Sequence, residues 1–477
     1  MEYQKKQLIS GVLWSGIDKL GVVVVQLLLE IILARHLLPQ DYGIIGMATI
    51  FIGLGILFSE SGFSNALIQK QDRNEVDFST AFYFNLFVSV GFVIIVFFVS
   101  PFVADFFGTP ILTNVLRVMS ISVVLNAMVM VHKTKLSILL DFKKQAKISF
   151  LSLIISGVVG IWLAINGYGV WSLVTQIVSQ SLITLILFYS FVKWWPAFVF
   201  SKSSLAKLLK FGSNVLAAGL IQSLYVNLYN LLIGKKMSAS TLGLYTKSNQ
   251  FTYMPAGLIS GILQRVMFPY FSSVQGDNDK IFKLNQNFTR LICIVMFPLF
   301  IYLSLFSKPL VHFGLSDKWI EAAVIIRILA ISVILFPITV NNMILFQVKN
   351  KTAMFLKLEI ISKIIGGLIL LLTIKHGLLA LCYGLLVQQL LQFIITSISS
   401  HYLIQKKLWA QIIVILPYIL YGGIIYIAVI YLESLYSMDY YKFIGFGSAV
   451  FTLFYSLLYL VFLRQPILSL IKIIKAK

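Results

Sequence analysis

Charged and polar side chains recur inside the apolar segments of this chain, where each of them needs a protein or water partner. A charge in the hydrocarbon core of a bilayer costs about 2.5–3.5 kcal/mol on insertion scales, so it faces another helix or an aqueous cavity. Lys19, Gln26 and Glu30 fall on one face of the segment 11–33 when successive helical residues turn by about 100°. We expect this face to line a cavity, although packing against other polar residues of a bundle would also accommodate it.

Amide and tyrosine side chains supply a second group of candidates. They suit the hydroxyl groups and ring faces of a sugar, and they also join transmembrane helices to each other. The candidates in this group are Gln180, Asn214, Gln222, Tyr225 and Gln388. Arg117 and Arg327 lie near the outer ends of two further segments, where they could contact an anion or extend to the lipid headgroups.

The composition places these residues in a membrane protein. Of the 477 residues, 59% are hydrophobic and 12% are charged, whereas soluble domains are about 25% charged. So few charges could not cover the surface of a soluble protein of this size, which excludes soluble enzymes and free nucleic-acid binders. Cys293 and Cys382 lie in apolar runs and the five histidines are scattered, so we expect neither a disulfide nor a metal site.

Fourteen apolar segments follow one another along the chain, each long enough to cross about 30 Å of hydrocarbon. They lie at 11–33, 43–66, 80–103, 112–135, 148–166, 168–192, 208–233, 243–271, 288–307, 320–346, 353–375, 377–402, 410–432 and 441–463. We therefore expect an all-α polytopic membrane protein with about 14 transmembrane helices. The connecting segments are too short for a soluble catalytic domain, so we expect no enzyme.

The basic residues are distributed unevenly over the connecting segments. If the N-terminus faces the cytoplasm, 25 of the 38 Lys and Arg residues lie in or beside cytoplasmic segments and 7 in outer ones. Because Lys and Arg favour the cytoplasmic side, this bias predicts that both termini are cytoplasmic. The net charge of +21 has the same explanation, so it indicates no nucleic-acid partner.

The chain also repeats itself. "ILARHLLPQDYGIIG" at 32–46 aligns with "LIGKKMSASTLGLYT" at 232–246, and "LRVMSISVVL" at 116–125 aligns with "IRILAISVIL" at 326–335. These offsets predict two homologous six-helix lobes, 1–200 and 201–405, followed by two extra helices in 406–477. Parallel repeats of this kind are typical of transporters, with the substrate site between the lobes.

Longer motifs identify a family resemblance. In the first lobe they are "SGVLWSGIDKLG" (10–21), "LARHLLPQDYG" (33–43), "SGFSNALIQKQDR" (61–73) and "LDFKKQAKIS" (140–149); in the second they are "LQRVMFPYFSS" (263–273) and "FLKLEIISKI" (355–364). The chain resembles the polysaccharide-exporter flippases of the multidrug/oligosaccharidyl-lipid/polysaccharide superfamily, in the colanic-acid and teichuronic-acid exporter (Wzx-like) branch. The sequence differs from the family pattern at His36, where an apolar residue is expected beside Arg35.

The resemblance implies a V-shaped, MATE-like bundle of two lobes that flips an undecaprenyl-diphosphate-linked oligosaccharide across the bacterial inner membrane by alternating access. It also implies membrane lipids as partners, and a polysaccharide polymerase and chain-length machinery as further candidates. We expect no cofactor, with H⁺ or Na⁺ as candidate coupling ions. Two alternatives remain: a cation-coupled multidrug antiporter of the same superfamily, and a membrane-embedded glycan ligase or polymerase, which should have a large external loop.

Depth in the membrane indicates where the diphosphate would bind. Lys19 and Arg265 lie about 8 residues inside the cytoplasmic ends of their segments, or roughly 12 Å at about 1.5 Å per residue. Arginine offers phosphate a two-pronged contact and lysine offers a point charge. We expect Lys19 and Arg265 to hold the diphosphate, and Glu60, at similar depth, to neutralise Lys19 when this site is empty.

Overall fold

The computed structural model describes residues 21–60, 62–436 and 439–458, and within these ranges every regular element is a helix. The α-helices are α1 (21–36), α2 (Pro39–Glu60), α3 (Phe63–Gln69), α4 (Glu75–Phe107), α5 (Leu112–Ile138), α6 (Phe142–Ile165), α7 (Val170–Phe191), α8 (Lys202–Lys236), α9 (Ala239–Ser272), α10 (Asn278–Leu305), α11 (Ser307–Gly314), α12 (Ala322–Val333), α13 (Phe336–Val348), α14 (Thr352–Thr373), α15 (Leu378–Leu403), α16 (Trp409–Tyr436) and α17 (Tyr440–Leu458). The side chains of Asn214 and Arg265 lie outside the described part.

The 14 predicted segments all overlap helices of the described ranges. Within the described ranges, ten helices or pairs of consecutive helices are long and apolar enough, by length and composition, to cross a membrane. The all-α membrane fold is therefore confirmed, whereas the number 14 stays a prediction. α6 ends at Ile165 and α7 begins at Val170, so a short turn that contains Gly167 and Gly169, both with positive φ, joins them.

Two predicted segments are each divided into two helices. The segment 43–66 bends at Gly62, whose φ of 68° lies in the left-handed region that favours glycine. The segment 320–346 breaks between α12 and α13, where Pro337 occupies the first turn of the new helix. Proline fits that position because the first turn has no intrahelical partner for its backbone nitrogen.

Side chains at the helix starts explain several of the boundaries. Asn74 accepts a hydrogen bond from the backbone N–H of Asp77 at 3.0 Å, and the Asp77 carboxylate accepts one from the N–H of Asn74 at 2.9 Å. This reciprocal capping box begins the 33-residue helix α4. Asp277 caps α10 by accepting hydrogen bonds from the backbone N–H groups of Asp279 and Lys280, and the bond from Lys280 is the main cause that lowers the pKa of the Asp277 carboxyl.

The helix boundaries reproduce the internal repeat. α5 begins at Leu112 and ends at Ile138, while the pair α12–α13 begins at Ala322 and ends at Val348, so both boundaries differ by 210 residues. The residues two positions further on, Leu140 and Asn350, are also 210 apart, and both have positive φ, 57° and 55°. A helical segment followed by a turn residue with positive φ therefore recurs at the 210-residue offset that the sequence shows.

Contacts divide the chain into two compact units, one up to Thr246 and one from Lys247 onwards. The boundary falls inside α9. In the first unit, α5 packs against α2, α4 and α7, and α8 packs against α2 and α4. The predicted segments 1–200, 201–405 and 406–477 follow the repeat rather than these contacts, and they stay a prediction.

The second unit has an aromatic core between α10, α11, α16 and α17. Phe300 and Phe306 are fully buried there, and the ring of Phe306 packs against Phe443 at 5.1 Å and against Phe451 at 6.4 Å between centroids. The two last helices of the described part therefore belong to the core of this unit.

Candidate functional site

A carboxylate and an ammonium group lie near the predicted cytoplasmic ends of α2 and α5. Glu60 is the half-buried last residue of α2, and Lys133 lies in the last two turns of α5 with an exposed side chain. α2 packs against α5, and the two charges act on each other across this contact. The pair offers an accessible cation together with the carboxylate that balances it, which is what a site for an exchangeable anion needs.

The sequence predicts Glu60 but not Lys133, because this lysine, at the end of the segment 112–135, counts there among the basic residues of the cytoplasmic side. In the structure α5 continues to Ile138, so Lys133 belongs to the helix. Helical spacing could have identified Lys133. Lys133 and Lys135 are about 200° apart around a helix axis, so the two side chains lie on opposite sides of α5 and have different surroundings.

Lys135 has a structural role that Lys133 does not share. Its Nζ donates to Glu75 Oε1 at 2.7 Å, and it lies 4.5 Å from the centre of the Phe78 ring and 4.8 Å from that of Trp194. The indole Nε1 of Trp194 donates to the other carboxylate oxygen of Glu75, also at 2.7 Å. These contacts join α5 to the start of α4 and to the segment that follows α7.

A second ion pair holds the neighbouring helix ends. Lys70 Nζ lies 2.6 Å from Asp77 Oδ2, and Asp77 Oδ1 accepts a hydrogen bond from the hydroxyl of Ser204. Asp77 therefore ties together the end of α3, the start of α4 and the start of α8. The helix ends around Glu60 and Lys133 are thus joined by the ion pairs of Lys70 and Lys135, whereas Lys133 has an exposed side chain.

The polar face predicted on α1 is described from Gln26 onwards. Gln26 and Glu30 are half-buried, and Glu30 acts electrostatically on the hydroxyl of Tyr42, which is buried at the start of α2. Glu30 therefore has a partner within the bundle. Lys19 lies outside the described residues, as does the side chain of Arg265, so the anion site predicted between them stays a prediction.

Polar residues on α5 and α7 meet inside the first unit. Asn126 Nδ2 donates to Ser181 Oγ at 3.2 Å and to the carbonyl oxygen of Ser122 at 2.8 Å. Gln180, the residue before Ser181, is half-buried. Gln176, one turn earlier, is buried, and a Cβ atom added at Gly160 would lie 3.0 Å from its Cβ. The amides of α7 thus include at least one residue whose role is helix packing.

The candidates on α8 have increasing burial along the helix. Gln222 is exposed, Tyr225 is half-buried and Tyr229 is buried. The ring of Tyr229 stacks on that of Tyr245 with centroids 6.5 Å apart and an angle of 14° between the planes. The side chain of Asn214, the remaining candidate on this helix, lies outside the described part.

The matched arginines of the repeat have different surroundings. Arg117 Nε donates to the carbonyl oxygen of Phe97 at 3.2 Å and to Ser100 Oγ at 3.1 Å, and its guanidinium lies 4.2 Å from the centre of the Phe97 ring. Arg117 therefore joins α5 to α4. Arg327 is half-buried, and its Nε has no hydrogen-bond partner among the described residues. Gln388, the remaining candidate of the second unit, is half-buried on α15.

The starts of α2 and α9 touch through two glycines that are 200 residues apart. A Cβ atom at Gly43 would lie 1.7 Å from the carbonyl oxygen of Ala239, and one at Gly243 would lie 1.7 Å from that of Pro39. All four residues belong to the first unit. Since any larger residue would overlap the opposite backbone, this reciprocal crossing requires glycine at both positions.

Several curated proteins are similar to this chain. The teichuronic acid biosynthesis protein TuaB of Bacillus subtilis is 27% identical over 68% of this chain and 68% of its own length. The succinoglycan biosynthesis transport protein ExoT of Rhizobium meliloti is 24% identical over 69% of this chain and 66% of its own. The lipopolysaccharide biosynthesis protein WzxC of Escherichia coli is 24% identical over 69% and 67%.

Solved structures show which fold the chain shares. The lipid II flippase MurJ in an inward closed conformation aligns with 94% of this chain and 99% of its own, with a TM-score of 0.72 and 15% identity. An inward-facing multidrug resistance MATE transporter of the MOP superfamily aligns with 82% and 98%, with a TM-score of 0.60 and 14% identity. The predicted MATE-like helical fold is therefore confirmed.

A family model also matches the chain directly. The family described as polysaccharide biosynthesis protein matches residues 32–324, which is more than half of the chain and includes Glu60, Lys133 and the glycine crossing of α2 and α9. The predicted family resemblance is confirmed, and the chain belongs to this polysaccharide biosynthesis protein family.

Proposed function

We propose that this protein flips undecaprenyl-diphosphate-linked oligosaccharide repeat units across the bacterial cytoplasmic membrane for the export of a surface polysaccharide. The observation that carries the proposal is the membership in the polysaccharide biosynthesis protein family of a chain that shares its fold with a lipid II flippase. The names of TuaB, ExoT and WzxC refer to teichuronic acid, succinoglycan transport and lipopolysaccharide, which supports a polysaccharide precursor as the substrate.

The chemistry of such a substrate requires a polar path through an apolar bundle. A diphosphate and a glycan cannot cross hydrocarbon unaided, because charged and polar groups lose their water partners there. Lys133 offers the diphosphate a point charge, and the anion would take the place of Glu60 beside it. An anion that binds one conformation better than the other shifts the equilibrium between them, which is how binding at this end would promote opening at the other.

Other predicted residues have roles in the same proposal. Lys19 and Arg265 would hold the diphosphate further along the path, and Arg117 and Arg327 would contact it on the outer side. Gln26, Glu30, Gln180, Asn214, Gln222, Tyr225 and Gln388 would bind sugar hydroxyls or pack the helices that line the path. H⁺ or Na⁺ are the candidate coupling ions, with Glu60 as a carboxylate that could take part.

The cellular setting follows from the same proposal. Both termini would lie in the cytoplasm, because the bias of Lys and Arg favours that orientation. The protein would act without chemical catalysis and would deliver its substrate to a polysaccharide polymerase and chain-length machinery on the outer side.

A cation-coupled multidrug antiporter is the second candidate function, and the likeness to a MATE transporter favours it. An antiporter would lower the cellular concentration of cationic drugs, so its deletion would increase drug sensitivity. A flippase deletion would leave drug sensitivity unchanged and would affect the surface glycan instead.

Deletion of the gene in its native host, with analysis of lipid-linked intermediates, tests the proposal. We expect complete repeat units on undecaprenyl diphosphate to accumulate on the cytoplasmic side while the surface polysaccharide disappears. Unligated polymer on the outer side would indicate a ligase instead. Unchanged surface glycan together with increased drug sensitivity would indicate the antiporter, and either of these results would refute flipping.

A further inference from the structure

A basic pocket of about 750 Å³ lies in the second unit, between the turn that joins α13 to α14 and the turn that joins α15 to α16. Lys351 comes from the first of these turns, and Lys406 and Lys407 come from the second. His401 and Gln405 also line it. The volume is in the range of about 300–1,000 Å³ that is usual for small-molecule sites.

The lysines in and beside this pocket differ in whether their ammonium groups contact other groups of the protein. Lys406 forms an ion pair with Asp279 of α10. Lys349, outside the pocket, donates to the carbonyl oxygen of Gln275 and to Asn278 Oδ1, both at 2.6 Å. Lys351 and Lys407 are exposed, and the side-chain ammonium group of neither makes a hydrogen bond or ion pair within the described ranges. The pocket thus presents two lysines that are available to an anion.

Backbone geometry brings the two turns to this arrangement. Asn350 and Gln405 both have φ of 55°, in the left-handed region that commonly ends a helix. Each of these residues directly precedes a lysine of the pocket, Lys351 and Lys406. The two turns therefore reverse the chain in the same manner, and each carries its lysines to the pocket from a different helical hairpin.

The internal repeat supplies a comparison within the same chain. The position equivalent to Lys351 in the first repeat, 210 residues earlier, is Asp141. Asp141 caps α6 by accepting a hydrogen bond from the backbone N–H of Lys144 at 3.1 Å. The repeat geometry alone does not require a basic residue here, so the lysine is a feature of the second unit.

The edge of the pocket is apolar and exposed. Tyr402 and Met354 line it with 87% and 40% of their surface exposed, and Trp409, at the start of α16, is 70% exposed. Exposed tyrosine and tryptophan at helix ends are typical of the level of the lipid headgroups. An occupant with a phosphate and an apolar part would satisfy both the lysines and this edge, and acidic phospholipid is the anion that surrounds such a protein in a bilayer.

We propose that this pocket binds the headgroup of an acidic phospholipid, whose phosphate bridges Lys351 and Lys407. Basic pockets between transmembrane helices on the cytoplasmic side are a known place for acidic headgroups. The lipid would link the α13–α14 hairpin to the α15–α16 hairpin at the side that the charge bias predicts to be cytoplasmic. This site is separate from the path proposed for the flipped substrate and does not depend on that proposal.

Native mass spectrometry of the purified protein with added phosphatidylglycerol tests the proposal, with phosphatidylcholine as the zwitterionic comparison. We expect wild-type protein to retain phosphatidylglycerol preferentially, and Lys351→Gln/Lys407→Gln to weaken this binding at least about tenfold. Lys351→Arg/Lys407→Arg should retain it. Equal phosphatidylglycerol binding by wild type and the glutamine variant would overturn the proposal.

A matched control is Lys202→Gln/Lys210→Gln, which removes two exposed lysines from the start of α8. This control should bind phosphatidylglycerol like wild type, and an equal loss would show that only net charge matters. Inorganic phosphate should not displace the phospholipid. Displacement by undecaprenyl diphosphate at a lower concentration than by phosphatidylglycerol itself would assign the pocket to the flipped substrate and would overturn the phospholipid proposal.

Discussion

Two lysines that are two positions apart on α5 have different tasks. Lys135 is held by Glu75 and two aromatic rings, whereas Lys133 is accessible and has Glu60 as its electrostatic partner. We therefore expect Lys133→Gln to weaken the binding of an undecaprenyl-diphosphate-linked substrate by roughly tenfold, since a charge-assisted contact contributes about 1.5–3 kcal/mol. The melting temperature of the Lys133→Gln variant should stay close to that of the wild-type protein. Titration of the purified variant with the lipid-linked substrate measures the effect.

Lys135→Gln is the matched control and should behave in the opposite way. Loss of the ion pair with Glu75 and of the aromatic contacts should reduce the free energy of unfolding by about 1–3 kcal/mol while substrate affinity is retained. If Lys133→Gln destabilises the fold as Lys135→Gln does and leaves substrate binding unchanged, then Lys133 is structural and the proposed anion site is wrong.

Residue types could be predicted from the sequence better than side-chain partners. Glu60 was identified by its depth in an apolar segment, and in the structure it acts electrostatically on Lys133. Arg117 looked like a candidate anion contact, but its Nε hydrogen bonds to Phe97 and Ser100 come from α4, which is adjacent only in the folded chain. Partners of this kind depend on helix packing, so local spacing could not indicate them.

Among the helices, the crossing of α2 and α9 depends most strongly on single residues. Gly43→Ala would place a Cβ atom 1.7 Å from the carbonyl oxygen of Ala239, so the two helices must separate. Overpacking of this kind costs about 1–3 kcal/mol or more. We expect the variant to have a lower melting temperature and at least about tenfold less export of surface glycan, as measured by complementation of the deletion strain.

Gly53→Ala on the same helix is the control, because nothing lies within 4 Å of a Cβ atom at that position. Alanine favours helix by up to about 1 kcal/mol over glycine, so this variant should be as stable as wild type or slightly more stable. Wild-type export and stability in Gly43→Ala would show that α2 and α9 do not need to approach so closely.

The positions of the helices were largely predictable, because long apolar runs leave few alternatives in a bilayer. The positions at which a predicted segment breaks into two helices were less predictable. Gly62 divides one segment through a positive φ of 68°, and α13 begins beside Pro337 in the middle of another. Glycine and proline also occur inside unbroken transmembrane helices, as Pro298 does in α10, so the residue type alone could not locate the breaks.

At the scale of the whole molecule, the internal repeat was the most informative property of the sequence. Matches at offsets of 200 and 210 predicted two related halves, and the boundaries of α5 and of α12–α13 recur at 210 residues. The contacts nevertheless divide the chain at Thr246 inside α9, not at the repeat boundary, because α8 packs against α2 and α4. Sequence similarity records common origin, while compactness depends on which helices pack together.

Movement of a lipid-linked diphosphate oligosaccharide across a bilayer, the activity proposed for this protein, can be measured after reconstitution. Purified protein is placed in liposomes that contain an undecaprenyl-diphosphate-linked oligosaccharide with a fluorescent sugar, and a membrane-impermeant quencher is then added. We predict that quenching will proceed beyond the outer-leaflet share reached in protein-free liposomes, and more slowly with Lys133→Gln. Quenching that stops at the protein-free level, in liposomes shown to contain folded protein, would contradict the account.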